Sequence, residues 1–279
     1  MDFTKKVVLI TGGSSGIGLA TACLLAASGA DVWILARDPE KLKSAEAQIK
    51  AARQSTEQQT GTLVADVSNE SQVTGVINRW ISQVGTPDIV INSAGIVEPG
   101  YFENQSVEIF RQMMDVDFFG VLHVIKAVIP GMIARQSGHI VNISSGAGFV
   151  GWYGYSAYGS SKFAVRGLSE YLRTEMKPFG IKVSVVFPFD TETPQLEYDD
   201  LHKPPETKVL SGMIGSPVKA DAVARSIVRG ISRGNFYIIP GLDIQVLYFL
   251  YGAFPGIVLP ILDYLVNIAL KRTTAHGVS

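Results

Sequence analysis

The stretch VVLITGGSSGIGLATA, residues 7–22, decides the fold. It opens with an apolar run typical of a buried strand and closes with apolar residues at helical spacing. Between them stand Gly12, Gly16 and Gly18, which permit a tight turn and a close approach of the backbone to a pyrophosphate, and the following helix would offer free N–H groups to that anion. The stretch predicts a strand–turn–helix unit that binds a dinucleotide. The residues of this turn that we expect to contact the cofactor are Gly12, Ser14, Ser15, Gly16 and Ile17.

Apolar runs and helical patterns alternate along most of the chain. Seven runs have the composition of strands: KVVLI, DVWILA, TLVADV, DIVINSAG, HIVNIS, KVSVVF and FYIIPG. Nearly continuous apolar strands separated by helices indicate a parallel sheet that is buried on both faces. We therefore predict a doubly wound, Rossmann-type α/β fold with a seven-stranded parallel sheet and a hydrophobic C-terminal extension.

Composition excludes several classes of function. The formal net charge of −1 argues against a nucleic-acid partner. Cys23 is the only cysteine, so no disulfide framework exists and a reducing compartment is expected. The four histidines show no ligand spacing, and we predict no metal site. The N-terminus runs directly into a strand, so we expect no signal peptide.

The second strand, DVWILARD, indicates which nicotinamide dinucleotide binds. A cofactor with a free ribose 2′-hydroxyl usually meets an acidic residue at the end of this strand. Ala36 and Arg37 stand there instead, and Lys41 follows one helical turn later. A guanidinium suits a 2′-phosphate, so we predict NADPH. Asp38 is a counter-signal, but before Pro39 it fits a helix N-cap.

Three polar residues form a candidate set for hydride-transfer chemistry. Tyr158 and Lys162 are four residues apart, so they share one face of a helix. Ser145 ends a strand thirteen residues before Tyr158. Reduction of a ketone needs a proton for the carbonyl oxygen, and a phenol with a pKa of roughly 10 is a poor acid near neutrality. We expect Lys162 to lower the pKa of Tyr158, the proton donor, and Ser145 to orient the carbonyl.

With the glycine turn and the NSAG motif of residues 92–95, this set resembles the short-chain dehydrogenase/reductase family over roughly residues 5–240. The resemblance implies that Lys162 also binds the nicotinamide ribose. It further implies that Asp66 contacts the adenine ring with Val67 beside it, and that Asn92 stabilises the central strand and lines the cofactor cleft. Asp88, by contrast, is expected to cap its strand.

One position departs from the family pattern. Where an asparagine usually stands before the serine strand, MMDVDFFG has Asp117. Its carboxylate would stabilise the Lys162 ammonium but oppose ionisation of Tyr158. We expect an active enzyme with an altered pH profile.

The loop after the sixth strand bears on the substrate. Its DTETP and KPPETK motifs, residues 190–194 and 203–208, and the surroundings of Tyr158 resemble the branch of the family that reduces a long-chain 3-keto amino alcohol with NADPH in sphingolipid biosynthesis. The substrate ammonium would suit the acidic residues of this loop, which are Asp190, Glu192, Glu197, Asp199, Asp200 and Glu206. A solvated acidic loop is the alternative for each of them. Another lipophilic ketone (a 3-oxoacyl thioester, a steroid or a retinoid) and a low-turnover NADP-binding scaffold are the alternative functions.

The C-terminal segment is unusually apolar. Residues 246–262 carry no charge and would extend roughly 25 Å as a helix, short of a hydrocarbon core of about 30 Å. Pro255 and Pro260 disfavour a straight span. We predict a catalytic domain over residues 1–242 and a membrane-associating extension over residues 243–279, with the catalytic domain facing the cytoplasm, at the endoplasmic reticulum if the source is eukaryotic. The expected anchors are Tyr248, Tyr251 and Tyr264 near the headgroups and Lys271 and Arg272 on the cytoplasmic side. The alternative is that the segment packs on the domain or on another copy; we also expect a homo-oligomer, a dimer or tetramer.

Overall fold

A computed structural model describes residues 3–276. Its main sheet has seven parallel strands in the order β3-β2-β1-β4-β5-β6-β9, which confirms the predicted fold class. The strands of the chain are β1 Val7–Thr11, β2 Asp31–Ala36, β3 Thr60–Val64, β4 Ile89–Asn92, β5 Gly138–Ile143, β6 Ile181–Val186, β7 Thr191–Glu192, β8 Val218–Lys219 and β9 Tyr237–Ile238. The short β7 and β8 pair with each other outside the main sheet. β7 lies in the DTETP motif, and β8 follows α8, beyond the KPPETK motif.

Helices cover both faces of the sheet. They are α1 Gly16–Ala26, α2 Pro39–Ala52, α3 Glu70–Val84, α4 Val107–Met113, α5 Gly120–Arg135, α6 Ser156–Glu175, α7 Pro194–His202, α8 Pro205–Ile214, α9 Ala220–Arg233, α10 Leu242–Ala253 and α11 Pro255–His276. A π-helical turn, Met114–Phe119, joins α4 to α5 and contains Asp117. Such turns insert an extra residue into a helix and often occur at functional sites.

Successive residues of each strand point to opposite sides of the sheet. Val8 and Ile10 are fully buried in the layer that includes α1 and α9. Leu9 lies between them and is buried in the opposite layer with α3 and α5. The apolar strand pattern therefore arises because both faces are covered, as the sequence indicates.

Asp38 has the structural role expected of it, whereas Asp88 has a structural role at β1 and not at its own strand, β4. The Asp38 carboxylate accepts hydrogen bonds from the backbone N–H groups of Glu40 and Lys41 at 3.0 and 3.1 Å, which makes it the N-cap of α2. Asp88 accepts a hydrogen bond from the N–H of Val7 at 3.0 Å and tethers the start of β1. Neither carboxylate lines the cleft at the carboxyl ends of the strands, which is described below.

The C-terminal extension forms two helices, α10 and α11, separated at Phe254. The aromatic rings of Tyr248 and Tyr251 lie 5.1 and 6.5 Å from that of Phe149. Both tyrosines are half-buried against residues of the α/β fold, and their expected position at lipid headgroups stays a prediction. Tyr264 is 66% exposed and stays available for such a role.

The helix pair nevertheless leaves large apolar side chains exposed to solvent. We call these residues the C-terminal apolar surface: Leu242, Val246, Phe249, Leu250, Phe254, Ile257, Leu259, Ile261 and Tyr264. Among the described residues, the one helical segment with the length and apolarity of a membrane span is Val107–Arg135. That segment belongs to the core, since Val124, Val128 and Met132 are fully buried. The extension itself contains no such span within the described range.

Candidate active site

The glycine turn has the shape that a pyrophosphate requires. Gly12 and Gly16 have φ angles of +66° and +53°, which residues with a side chain rarely adopt. A Cβ on Gly12 would lie 2.7 Å from the backbone N of Ala94, and one on Gly18 would lie 2.4 Å from the carbonyl oxygen of Gly12. Among the described residues, Leu19 is the first in α1 whose backbone N–H donates a hydrogen bond to another backbone group, the carbonyl oxygen of Ser15 at 3.1 Å. The preceding amides at this helix N-terminus suit an anion.

A single cleft runs along the carboxyl ends of the strands, where ligands of open α/β sheets bind. It extends from the glycine turn, past Ser93 and Ser145, to Pro240 after β9. Of the predicted site residues, the cleft wall contains Gly12, Ser15, Gly16, Ile17, Ser145, Tyr158 and Lys162. The structure thus brings the predicted phosphate turn and the predicted catalytic set into one cavity.

Other predicted cofactor contacts lie outside this wall. Ser14 belongs to the turn but does not line the cleft. Asn92 is 1% exposed, and its side chain donates to the Asn142 side chain at 2.8 Å. It therefore holds β4 to β5 beneath the cleft rather than lining it, which corrects the second half of its predicted role. The Val67 side chain is buried against Gly120, so a cofactor would meet only its backbone.

The residues expected to select the cofactor are exposed to solvent, just after the carboxyl end of β2 and in the first turn of α2. The Arg37 guanidinium is 64% exposed and lies 3.6 Å from the Asp66 carboxylate. Lys41 is also exposed, in the first turn of α2. Burial alone would raise the pKa of Asp66, but hydrogen bonds from Ser68 and the charge of Arg37 hold it below its usual range. Asp66 is consequently a fixed acceptor, and Arg37 stands beside it at the end of β2.

The catalytic candidates come together at the start of α6. The Lys162 ammonium lies 5.5 Å from the centre of the Tyr158 ring, as their spacing on one helix face predicts. Ser145 follows β5 in an extended conformation. The neighbouring Ser144 hydroxyl donates to the Lys162 carbonyl at 2.8 Å and fixes the helix against the strand. All three candidates are held on rigid elements, which suits catalysis that depends on position.

Lys162 has a second partner in Asp117. The two charged groups are 3.6 Å apart and almost fully buried, with exposures of 5% and 0%. The Asp117 carboxylate also accepts hydrogen bonds from the Ile96 N–H and from the Ser161 hydroxyl, each at 2.9 Å. The π-helical turn thus places a carboxylate beside Lys162, the predicted catalytic lysine.

This arrangement changes the expected acidity of Tyr158. Burial raises the pKa of Tyr158, the charge of Asp117 raises it further, and a hydrogen bond with Ser145 works in the opposite direction. The expectation that the pKa of Tyr158 is lowered is therefore wrong, because burial and then the charge of Asp117 raise it. The predicted opposition of Asp117 to Tyr158 ionisation is confirmed. Burial also raises the pKa of Asp117, despite the neighbouring Lys162.

The acidic loop contributes fewer carboxylates to the cleft than expected. Asp190 and Asp199 line it. Glu206 instead accepts hydrogen bonds from the hydroxyls of Tyr101 and Thr273, at 2.8 and 2.7 Å. Asp200 is 55% exposed and pairs with Lys203. The remaining two, Glu192 and Glu197, are absent from the cleft wall, so solvation is the better interpretation for them.

Among the cleft residues that sequence reasoning missed, two bear on the arguments below. Tyr155 lies in the wall, and its hydroxyl donates to the Asp199 carboxylate at 2.6 Å. Its only sequence signal was its place in the YGYSAY stretch around Tyr158. Ile244 of α10 also lines the cleft, although it belongs to the segment interpreted as a membrane extension. Residues 3–276 contain no cluster of three or more metal-ligating side chains, and the absence of a metal stays a prediction.

The chain is similar to known proteins in sequence and in fold. The family model described as short chain dehydrogenase matches residues 6–203. The 3-ketodihydrosphingosine reductase of Dictyostelium discoideum is 42% identical over 247 residues, which cover 84% of this chain and 74% of that protein. The 3-dehydrosphinganine reductase of Danio rerio is 39% identical, with coverage of 82% and 69%. A short-chain dehydrogenase from Sphingobium yanoikuyae, solved in complex with NADPH, superposes with a TM-score of 0.76 at 28% identity and covers 91% of this chain and 94% of its own.

Proposed function

Because the chain belongs to the short-chain dehydrogenase family of oxidoreductases, we propose that it reduces 3-ketodihydrosphingosine to dihydrosphingosine with NADPH. Relatives named for this reaction match more than four fifths of the chain at about two fifths identity. The observation that carries the proposal is the placement of Ser145, Tyr158 and Lys162 in one cleft with the glycine turn. The turn suits a dinucleotide because its glycines adopt the tight backbone that only they allow and, within the described residues, the amides at the N-terminus of α1 remain free for a pyrophosphate.

The residues of the cleft divide the reduction among them. Reduced nicotinamide, when bound, supplies the hydride to the carbonyl carbon. Tyr158 donates the proton to the carbonyl oxygen, and Ser145 donates a hydrogen bond that orients this oxygen. Lys162 positions the cofactor ribose and places a positive charge beside the phenol, 5.5 Å from its ring centre.

The proposed preference for NADPH depends on Arg37 with Lys41. Arg37 is exposed at the end of β2, where an acidic residue would favour a free 2′-hydroxyl. The relative from Sphingobium yanoikuyae was solved with NADPH. We expect Arg37→Gln to lower kcat/KM for NADPH by about tenfold or more, and to leave that for NADH nearly unchanged, since charge-assisted hydrogen bonds are the stronger ones.

The experiment that tests the function measures oxidation of NADPH by the purified protein with a panel of ketones. We expect 3-ketodihydrosphingosine to have the highest kcat/KM. A higher value for a 3-oxoacyl thioester, a steroid or a retinoid would assign a different substrate. Cofactor binding without turnover on any ketone would favour an NADP-binding scaffold and contradict the proposal.

Membrane association is proposed for the C-terminal apolar surface. The substrate has a long alkyl chain that resides in a bilayer, and the exposed surface ends near Lys271 and Arg272, which suit anionic headgroups. Interfacial binding fits two helices broken at Phe254 better than a single span does. In this proposal residues 243–279 meet the membrane, at the endoplasmic reticulum in a eukaryote, and residues 1–242 face the cytoplasm.

Self-association is proposed through a different surface. Val107 and Phe119 lie near the π-helical turn and are 65% and 41% exposed, and Tyr171 on α6 is 72% exposed. Exposed apolar residues of this size commonly mark contacts with another chain. Light scattering of the purified protein tests for the dimer or tetramer.

A further inference from the structure

The acidic end of the cleft carries more negative than positive charge. Lys203 pairs with Asp199 at 3.5 Å and also with Asp200. Asp190 forms no salt bridge with any residue in the described range 3–276. Two carboxylates, those of Asp190 and Asp199, therefore line the cleft, and the cation that pairs with Asp199 is already shared with Asp200.

This acidic end lies beside the reacting phenol. Tyr155 donates its hydroxyl hydrogen bond to Asp199, and its ring is 6.0 Å from that of Tyr158. The charges of Asp199 and Asp190 contribute, after burial and Asp117, to raising the pKa of Tyr158. A ketone held by Tyr158 would therefore lie in the cleft whose wall also contains these two carboxylates. In the substrate of the proposed reaction, the amino group is attached to the carbon next to the carbonyl.

Asp199 itself lacks one partner. The residue is only 5% exposed, yet its Oδ1 atom accepts no hydrogen bond from the part of the chain that the structure describes. A buried carboxylate oxygen without a donor is costly. An ammonium group has three donors and a positive charge, which is the complement that this site needs.

We propose that Asp199, with Tyr155 and Asp190, forms a subsite for the substrate ammonium and so selects 2-amino ketones over neutral ketones. The inference rests on the proposed function and narrows the six acidic loop residues to the two in the cleft. It also gives Tyr155 a task, because the hydroxyl fixes the Asp199 carboxylate in place. The bound ammonium would offset negative charge beside Tyr158 and make its proton easier to donate.

The test compares two amide variants on two matched substrates. Asp199→Asn keeps the shape of the side chain and removes its charge, whereas Glu192→Gln makes the same change at an exposed residue of the same loop that does not line the cleft. We expect Asp199→Asn to raise KM for 3-ketodihydrosphingosine at least tenfold and to change KM little for the ketone in which hydrogen replaces the amino group. Glu192→Gln should change neither value. Equal increases on both ketones would assign Asp199 a structural role and overturn the subsite.

A binding measurement separates the subsite from the reaction. Titration calorimetry with octylamine and octanol, in the presence of NADP⁺, reports recognition of the ammonium without turnover. We expect the wild type to prefer the amine and Asp199→Asn to lose that preference. If the wild type fails to reduce the amino ketone but shows this Asp199-dependent preference, the proposed function fails and the subsite stands. If it reduces the amino ketone without any preference for the amine, the subsite is wrong and the function stands.

Discussion

The strands and the C-terminal helices are both apolar, but they place their side chains in opposite surroundings. In β1, Leu9 and Ile10 are fully buried. In α10 and α11, Phe249 and Ile257 are 68% and 62% exposed, although Ile244 and Ala269 on the same helices are buried. A strand between two helical layers uses its apolar residues to form the core, whereas this helix pair buries some of its apolar residues and leaves others exposed to solvent. Apolar composition alone therefore does not report which purpose a segment serves.

The largest effect on activity is expected from Tyr158→Phe, which removes the proposed proton donor from the cleft at the carboxyl ends of the strands. Loss of general acid catalysis should lower kcat about 10²–10⁴-fold. Because the ring remains, the contact with the Tyr155 ring and the fold should persist. Steady-state kinetics measure the loss, while NADPH binding and thermal unfolding serve as controls. Reduction at the wild-type rate would remove Tyr158 from the chemistry.

The second prediction concerns the C-terminal apolar surface. We expect the double variant Phe249→Ser and Ile257→Ser to bind anionic lipid vesicles at least about tenfold more weakly, because a buried side chain of this size contributes about 1.5–3 kcal/mol. The control is Phe102→Ser with Leu201→Ser, two side chains of similar exposure, 70% and 77%, outside that surface. Vesicle co-sedimentation measures both.

Equal weakening by both pairs would contradict a specific membrane surface. Unchanged binding by the first pair would contradict membrane contact through α10 and α11. Point substitutions are preferable to deletion of the extension, because Ile244 lines the cleft and removal of α10 would alter the active site directly.

The comparison of these regions also shows which parts of the structure can be predicted from the sequence. The seven strands and the glycine turn could be predicted because each depends on a local pattern: period, β-branching, and glycines at positions of positive φ. The pairing of Tyr158 with Lys162 follows from helical spacing alone. The position of Asn92 could not be predicted in the same way. Nothing local in the sequence indicates that its side chain lies beneath the cleft and bonds to Asn142, fifty residues away.

The charged groups could be predicted least. The effect of Lys162 on Tyr158 depends on Asp117, which a π-helical turn brings to 3.6 Å from the ammonium. Similarly, six acidic loop residues look equivalent in the sequence, but α7 turns Asp199 into the cleft and leaves Asp200 exposed. Burial and partners decide such roles, and both are set by distant parts of the chain.

A third, smaller effect is expected from Asp117→Asn. The variant removes a negative charge that raises the pKa of Tyr158, so this pKa should fall. Since reduction needs protonated Tyr158, the alkaline limb of kcat/KM should move to lower pH, by about one pH unit. The rate of alcohol oxidation, which needs the phenolate, should rise at a correspondingly lower pH.

The matched control for Asp117→Asn is Asp115→Asn, an exposed carboxylate of the same π-helical turn. Its pH–rate curves should superimpose on those of the wild type. Superimposable curves for wild type and Asp117→Asn, measured in both reaction directions, would show that Asp117 does not influence the proton transfer.

The smallest effect is a change in stability, and it concerns the hydrogen bond between α8 and α11 of the C-terminal extension. Glu206 at the start of α8 accepts hydrogen bonds from Tyr101 and from Thr273 of α11, and thereby connects the extension to the loops around the cleft. Thr273→Val keeps the volume of the side chain and removes its hydroxyl. We expect it to lower the free energy of unfolding by about 1 kcal/mol. Thr274→Val is the control, because that exposed hydroxyl bonds only to carbonyl groups of α11.

The pH dependence of this difference identifies its cause. Burial would raise the pKa of Glu206, but the hydrogen bonds from Thr273 and Tyr101 hold it below its usual range. A carboxylate with a lowered pKa stabilises the fold above its unfolded-state pKa, and this contribution is lost as the pH falls through the folded-state value. The gap in unfolding free energy between wild type and Thr273→Val, measured by urea denaturation, should therefore be largest near neutrality and shrink in acid. A gap that is constant with pH, or equal to that of Thr274→Val, would mean that the Glu206 carboxylate does not hold α11 to α8.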